Sequence, residues 1–368
     1  MKKYNENELA VICLDYYDQL EYKHKAHLLS LCANPSEIFS DENNCISYLT
    51  DNLGEGVARI IKQALFDRDN LKNYQNHVLK QLRDRKIVAI TCFSDNYPEQ
   101  LKHVPSAPLV LYAKGNTDLL FNKHRVAIVG SRKTQNFVLK VTEEIAYDLS
   151  SAGCAVISGS AVGGDRSALL GSERNNRAIS ILAHGHDYVY PQANRTLIDK
   201  VAQSGLVISE YPPHTPSAAW RFPMRNRLIA ALCTCAVIVS GEVDSGTKYT
   251  AKFAEAYSKP IYAFPYSMGE RSGEICNLLI KMNKAQLVEN SSDIATFEGI
   301  KIDNKQAIDI TEEERSILVA MNGQTHIDQI AERTGKKAHE IMYILSMLEI
   351  KGLVAKESGN IYTSLVKI

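Results

Sequence analysis

The chain carries no excess charge of either sign: 42 Lys and Arg balance 42 Asp and Glu, for a formal net charge of +0. A global field that draws the protein to polyanions is thereby excluded, and any nucleic-acid site must be a local gathering of Arg and Lys. No stretch of about 18 uninterrupted apolar residues occurs, which argues against a membrane span. The N-terminus, MKKYNENELAVICLDYYDQL, lacks the apolar core and small-residue cleavage pattern of a signal peptide, so a cytoplasmic location is expected. The 8 cysteines form no CxxC pair, which points to buried thiols in a reducing cytosol rather than a zinc site. His184 and His186 make an HxH with no partner at ligand spacing, so they read as loop residues.

The 368 residues suggest two or three domains. Apolar content of 45% and charged content of 23% are those of an ordinary globular chain. Residues 1–80 read as a helical domain, with amphipathic stretches at Leu9–Leu20 and His24–Leu31 and a helix start at Asn34-Pro35-Ser36-Glu37. Leu53-Gly54-Glu55-Gly56-Val57 resembles the turn of a helix-hairpin-helix unit, although a lone GxG reads first as a packing turn. A second domain spans 81–290. It opens with alternating apolar residues at Ile87–Ile90 and a proline-marked connection, then alternates strands and helices from Arg125 to Val288, as a doubly wound parallel sheet requires. Residues 291–307 read as a polar linker. The last segment, 308–368, holds a capping box at Thr311-Glu312-Glu313-Glu314, three short helices and a glycine-tipped hairpin, which together make a winged helix. Glu340, Met342, Met347 and Glu349 on its third helix favour a protein contact over base reading.

The chemistry is concentrated at the strand ends of the sheet, the edge where such folds bind ligands. Gly130-Ser131-Arg132-Lys133 follows the first parallel strand and fits neither GxGxxG nor GxxxxGK(S/T). It offers close backbone approach, a hydroxyl and a planar cation to a phosphate. Gly159, Gly163 and Gly164 lie in a second turn, where three glycines suggest backbone held against a ligand. Asp165 reads as a helix N-cap. Arg225, Asn226 and Arg227 form a basic group at a helix start, an unfavourable place unless an anion or a carboxylate compensates. Ser245, Gly246, Thr247 and Lys248 add hydroxyls and a cation, while Glu210 reads as a structural ion-pair partner. Ser158, Ser160 and Ser245 lack a GxSxG elbow, and no triad or metal set is present in the sequence. A binding protein without catalytic residues or cofactor is expected.

In order, SDNYPEQL…PLVLYAKGN (94–116), GSR (130–132), SG…GGD (158–165), YPQANRTL (190–197), SEYPP (209–213), FPMRNRLIAAL (222–232) and SGT…TA (245–251) resemble the DNA-processing protein A family, DprA or Smf. The resemblance covers more than half the chain and implies a Rossmann-like fold, a helical N-terminal domain and a winged helix. It implies a single-stranded DNA-binding protein of natural transformation that protects incoming DNA, loads the RecA recombinase alongside single-strand-binding protein, and dimerises. By motif, Ser131, Arg132, Arg225, Asn226 and Arg227 would face DNA, with Gly159–Gly164 and Ser245–Thr247 giving backbone and hydroxyl contacts. Arg177 stands where the family has a lysine. Val162, Gly164 and Leu169 depart from the family's SGLARGID-plus-histidine loop, which removes one basic contact. Tyr188, Tyr190 and Tyr211 are candidate stacking residues, and Phe222 reads as a core or rim aromatic. Two other readings are a phosphoribohydrolase-like nucleotide enzyme, on the partial echo Asp244-Ser245-Gly246-Thr247, and a winged-helix transcription regulator.

Overall fold

The computed structural model describes residues 2–39, 42–302, 310–321, 324–357 and 359–365. It divides into two compact units, Met1–Ile302 and Asp303–Ile368.

Five helices open the first unit: α1 (Glu6–Tyr16), α2 (Tyr22–Leu31), α3 (Glu42–Leu53), α4 (Glu55–Leu65) and α5 (Arg68–Asp84). Asn5 starts α1 in a reciprocal capping box with Glu8. The expected amphipathic face is absent from α1. Val11, Ile12, Cys13 and Leu14 are all buried, because α1 packs against both its helical neighbours and the sheet. Asn34–Glu37 starts only a short 3₁₀ segment, Pro35–Phe39. Gly54 alone joins α3 to α4, at φ +84°, a left-handed backbone that glycine adopts without strain.

The sheet has nine strands: β1 (Val88–Thr91), β2 (Val110–Gly115), β3 (Arg125–Val129), β4 (Ala155–Ser158), β5 (Ala178–Ile181), β6 (Leu206–Ser209), β7 (Cys235–Ile238), β8 (Ile261–Ala263) and β9 (Gln286–Leu287). Their spatial order is β1-β2-β6-β5-β4-β3-β7-β8-β9. From β6 to β9 all neighbours are parallel, as expected for a Rossmann-like doubly wound sheet. At the other edge β1 and β2 are antiparallel, within the segment read as a connection. Its prolines, Pro105 and Pro108, precede β2 and leave the apolar run Val110–Ala113 free to pair. Residues Ala89, Val110 and Tyr112 of these strands share one core with Val11, Leu49 and Ile61 of the helical layer.

Helices α6 (Glu99–Lys102), α7 (Asn136–Ser151), α8 (Gly164–Glu173), α9 (Arg195–Ser204), α10 (Arg221–Leu232), α11 (Thr247–Ala256), α12 (Glu274–Lys281) and α13 (Ser291–Glu298) complete the unit. Both faces of the parallel strands are covered. Along β3, Ala127 and Val129 join the core that contains α10, while Val126 and Ile128 join the core under α7. The expected linker at 291–307 begins instead with α13, capped by Asn290 and Asp293. Its Ile294 and Ala295 are buried in the α7 core, an apolar pair too short to register as a period. Residues 303–309 of that linker lie outside the described residues.

The second unit contains α14 (Glu312–Ala320), β10 (Gln324–His326), α15 (Ile327–Thr334), α16 (Ala338–Ile350), β11 (Val354–Lys356) and β12 (Ile361–Ser364). Thr311 and Glu314 form the capping box read from the sequence. The hairpin gains β10 as a third strand, in the order β10-β12-β11. Ile317, Ile330, Ile341, Leu345, Leu348 and Tyr362 fill the core of this winged helix. No helix among the described residues is long and apolar enough to cross a membrane.

Candidate nucleic-acid interface

From β3 the chain winds through β4, β5 and β6 on one side, then crosses over to β7, β8 and β9 on the other. The loops leaving β3 and β7 therefore diverge, and a crevice opens at their carboxyl ends. It is a cleft of about 710 Å³. Gly130–Lys133, Ala161, Asp165, Tyr190, Ser217–Ala219, Phe222, Arg225, Asn226, Glu242, Asp244–Thr247 and Thr250 line it.

The glycine turn after β4 serves packing. A Cβ on Gly164 would lie 2.6 Å from Gly130 Cα, and Gly163 has φ +87°. A Cβ on Gly159 would meet both the Asp165 carboxylate and the Arg225 guanidinium. Gly159, Gly163 and Gly164 themselves pack against neighbouring groups, and Ala161 of the same turn lines the cleft. Removing side chains here lets two strand-end loops touch. The departure Leu169 lies on the buried face of α8.

The β3 turn is held from below. The Ser131 N–H donates to Ser240 Oγ at 2.9 Å, the Lys133 N–H to Ser131 Oγ at 3.1 Å, and Thr134 Oγ1 to Ser131 O at 2.7 Å. This leaves Arg132 and Lys133 exposed at the mouth. Arg132 makes no ion pair among the described residues. Its guanidinium lies 5.8 Å from the Tyr190 ring and 5.9 Å from the Phe222 ring, and those rings are 5.4 Å apart. Phe222 is thus a half-buried rim aromatic in the wall of the cleft.

The other arginines differ. Arg225 is 3% exposed. Its Nη1 donates to Ile181 O and its Nε to Asn226 Oδ1 at 3.0 Å. Asp165 faces it across Gly159, with its carboxylate accepting from the Gly130 N–H at 3.4 Å. Burial raises the Asp165 pKa above the ordinary carboxylate value, with Arg225 opposing. Asp165 is therefore a buried counter-charge, while Gly163 occupies the cap position assigned to it. Arg227, 5% exposed, points away from the cleft and pairs with Glu210 at 2.6 Å and with Ser106 O at 3.0 Å. The compensation expected at this helix start is supplied by protein carboxylates. Arg177 precedes β5 and so stands at the sheet edge opposite the cleft, and Lys248 pairs with Asp244 at 3.0 Å.

Of the expected residues, Gly130, Ser131, Arg132, Lys133, Arg225, Asn226, Ser245, Gly246 and Thr247 come together around one cleft. Sequence reasoning missed Trp220, 61% exposed beside the cleft, with Arg221 between it at 5.0 Å and Tyr211 at 4.8 Å. An aromatic residue directly before a basic run was the available signal. The histidines tie the turn after β5 in place. His186 Nε2 lies 2.8 Å from Tyr112 O, and burial pushes its pKa down to about 4.

The family described as DNA recombination-mediator protein A matches residues 88–298. The chain belongs to the DprA/Smf family. A DprA winged helix domain matches 304–360. The chain is 33% identical to DNA processing protein DprA of Bacillus subtilis over 52% of its own length and 65% of that protein, just under two thirds. It is 27% identical to protein Smf of Synechocystis over 83% of itself and 86% of that protein. The structure of Helicobacter pylori DNA processing protein A, described for its single-stranded DNA binding mode, is similar at a TM-score of 0.54 and 28% identity, covering 59% of this chain and 98% of that one. The Streptococcus pneumoniae DprA structure shares the fold at a TM-score of 0.60 and 24% identity, over 80% of this chain and 98% of that one. DprA proteins belong to DNA processing and recombination, and so does the family of this chain.

Proposed function

We propose that this DprA-family chain binds single-stranded DNA across the cleft mouth and delivers it to a RecA-type recombinase in the presence of single-strand-binding protein. The setting is the uptake of DNA in natural transformation, with the chain acting as a homodimer. One observation supports the binding step above all: Arg132, without an ion pair among the described residues, stands beside two mutually packed aromatic rings at the switch point of the sheet. A guanidinium there meets a phosphate while Tyr190, Phe222 and the exposed Trp220 offer faces to unstacked bases. Duplex DNA keeps its bases stacked inward and gains only the charge. The relative from Helicobacter pylori, described for its single-stranded DNA binding mode, supports the same ligand. Binding of this kind requires no bond chemistry on the strand.

An electrophoretic shift with a single-stranded oligonucleotide and its duplex, each at two salt concentrations, tests the reading. Preference for the single strand, lost in Arg132→Ala, is expected. Equal binding of both forms, or an unchanged Arg132→Ala variant, overturns it. Strand exchange by RecA on DNA coated with single-strand-binding protein, with and without the chain, tests delivery. Light scattering on the eluting peak tests the dimer.

A further inference from the structure

The start of α11 forms a wall of the cleft that the single-strand reading leaves unused. Within it the Lys248 and Tyr249 amides are satisfied by Ser245 O at 3.2 Å and Gly246 O at 3.1 Å. The Gly246 and Thr247 amides make no hydrogen bond among the described residues. A Cβ on Gly246 would meet nothing within 4 Å, so this backbone borders open space.

A second observation is independent of the helix end. Thr250 is 1% exposed, lines the cleft, and its Oγ1 is buried without a hydrogen-bond partner. Ser245 Oγ, also in the lining, is buried and unpartnered as well. Thr250 follows Gly246 by four residues, which places it one turn on along the same face. Buried hydroxyls are almost always hydrogen-bonded, and two left open beside free helix amides describe a vacant set of anion donors.

The surroundings select the kind of anion. Glu242 and Asp244 line the same cleft, held by Arg271 at 3.3 Å and Lys248 at 3.0 Å. A strand running on past this wall would bring its next phosphate against those carboxylates. A phosphate that ends the molecule has no next phosphate, and it presents three oxygens to the donors where a diester presents two. We propose that Ser245, Thr250 and the first amides of α11 seat a terminal phosphate monoester, carried by a DNA strand end or by a free nucleotide. In its strand-end form the proposal rests on the single-strand reading of this cleft.

Fluorescence anisotropy with the full chain distinguishes the sources, using labelled oligothymidylate bearing a 5′ phosphate, a 3′ phosphate or neither, with thymidine monophosphate as competitor. One phosphorylated form is expected to bind about tenfold more tightly than the unmodified oligonucleotide, as a charge-assisted seat requires. Thr250→Val should erase that difference and leave the unmodified oligonucleotide unaffected, while Thr250→Ser retains it. Equal binding of all three oligonucleotides overturns the seat and leaves the single-strand reading intact. So does an equal weakening of all three in Thr250→Val, which makes the wall a site for internal phosphates. Thymidine monophosphate bound, by calorimetry, in a Thr250-dependent manner while every oligonucleotide fails keeps the seat and removes the single-strand reading. Binding of none removes both.

Discussion

The buried Arg227 guanidinium meets the mostly buried Glu210 at 2.6 Å, and so joins α10 to the end of β6. A basic residue in the most conspicuous cationic run of the sequence thus serves the fold. Arg227→Ala leaves a carboxylate buried without its partner, which costs about 3–5 kcal/mol. Chemical denaturation should show that loss for Arg227→Ala and none for exposed Arg132→Ala. DNA binding by the folded fraction should show the reverse.

The salt dependence of binding counts the cations left over. Arg225 faces Asp165, Arg227 pairs with Glu210 and Lys248 with Asp244, which leaves Arg132 and Lys133 at the mouth. Single-stranded DNA releases about 0.7 counterion per phosphate neutralised, so a plot of log affinity against log salt should slope at about −1.4. A groove in which all five were free would slope at about −3.5. Lys133→Ala should bring the measured slope to about −0.7.

Asp165 governs how much of Arg225 the cleft feels. Because burial raises its pKa, the folded chain takes up this proton at a higher pH than the unfolded chain does. The resulting stabilisation is complete below the unfolded value of about 3.9 and is lost as pH rises through the raised folded value. Protonation also removes the charge opposing Arg225, so affinity for DNA should rise as pH falls. Asp165→Asn should bind more tightly at neutral pH, steepen the salt slope by about 0.7 and flatten this pH dependence. Unchanged anisotropy titrations across pH in the two proteins would contradict the coupling.

Two glycines of the cleft region should respond oppositely to a methyl group. Gly164→Ala drives a Cβ to 2.6 Å from Gly130 Cα and should cost about 1–3 kcal/mol or more. Gly246 has φ −59° and open space beyond it, so Gly246→Ala should leave the melting temperature unchanged. Thermal melts of the two variants check this.

The sheet was legible because β3 to β7 are short apolar runs that each end in glycine, serine or a polar residue, a pattern that needs no tertiary information. Strand β2 was hidden by flanking prolines that lie just outside it, and α13 by having only Ile294 and Ala295 to bury. The site was read in outline. Spacing located the turns at Ser131 and Ser245, yet it could not show where a guanidinium points. Arg132 and Arg225 look equivalent in sequence, and only the fold puts Asp165 behind one and aromatic rings beside the other. The same limit applies to Gly159 and Gly164, where closeness to a ligand and closeness to another loop demand the same residue.

Trp220 is the only tryptophan in the chain, and it stands at the edge of the cleft. Indole emission from this protein therefore arises at a single known place. Its colour and quenching register what occupies that rim, so the wild-type chain carries an intrinsic optical reporter and needs no attached dye.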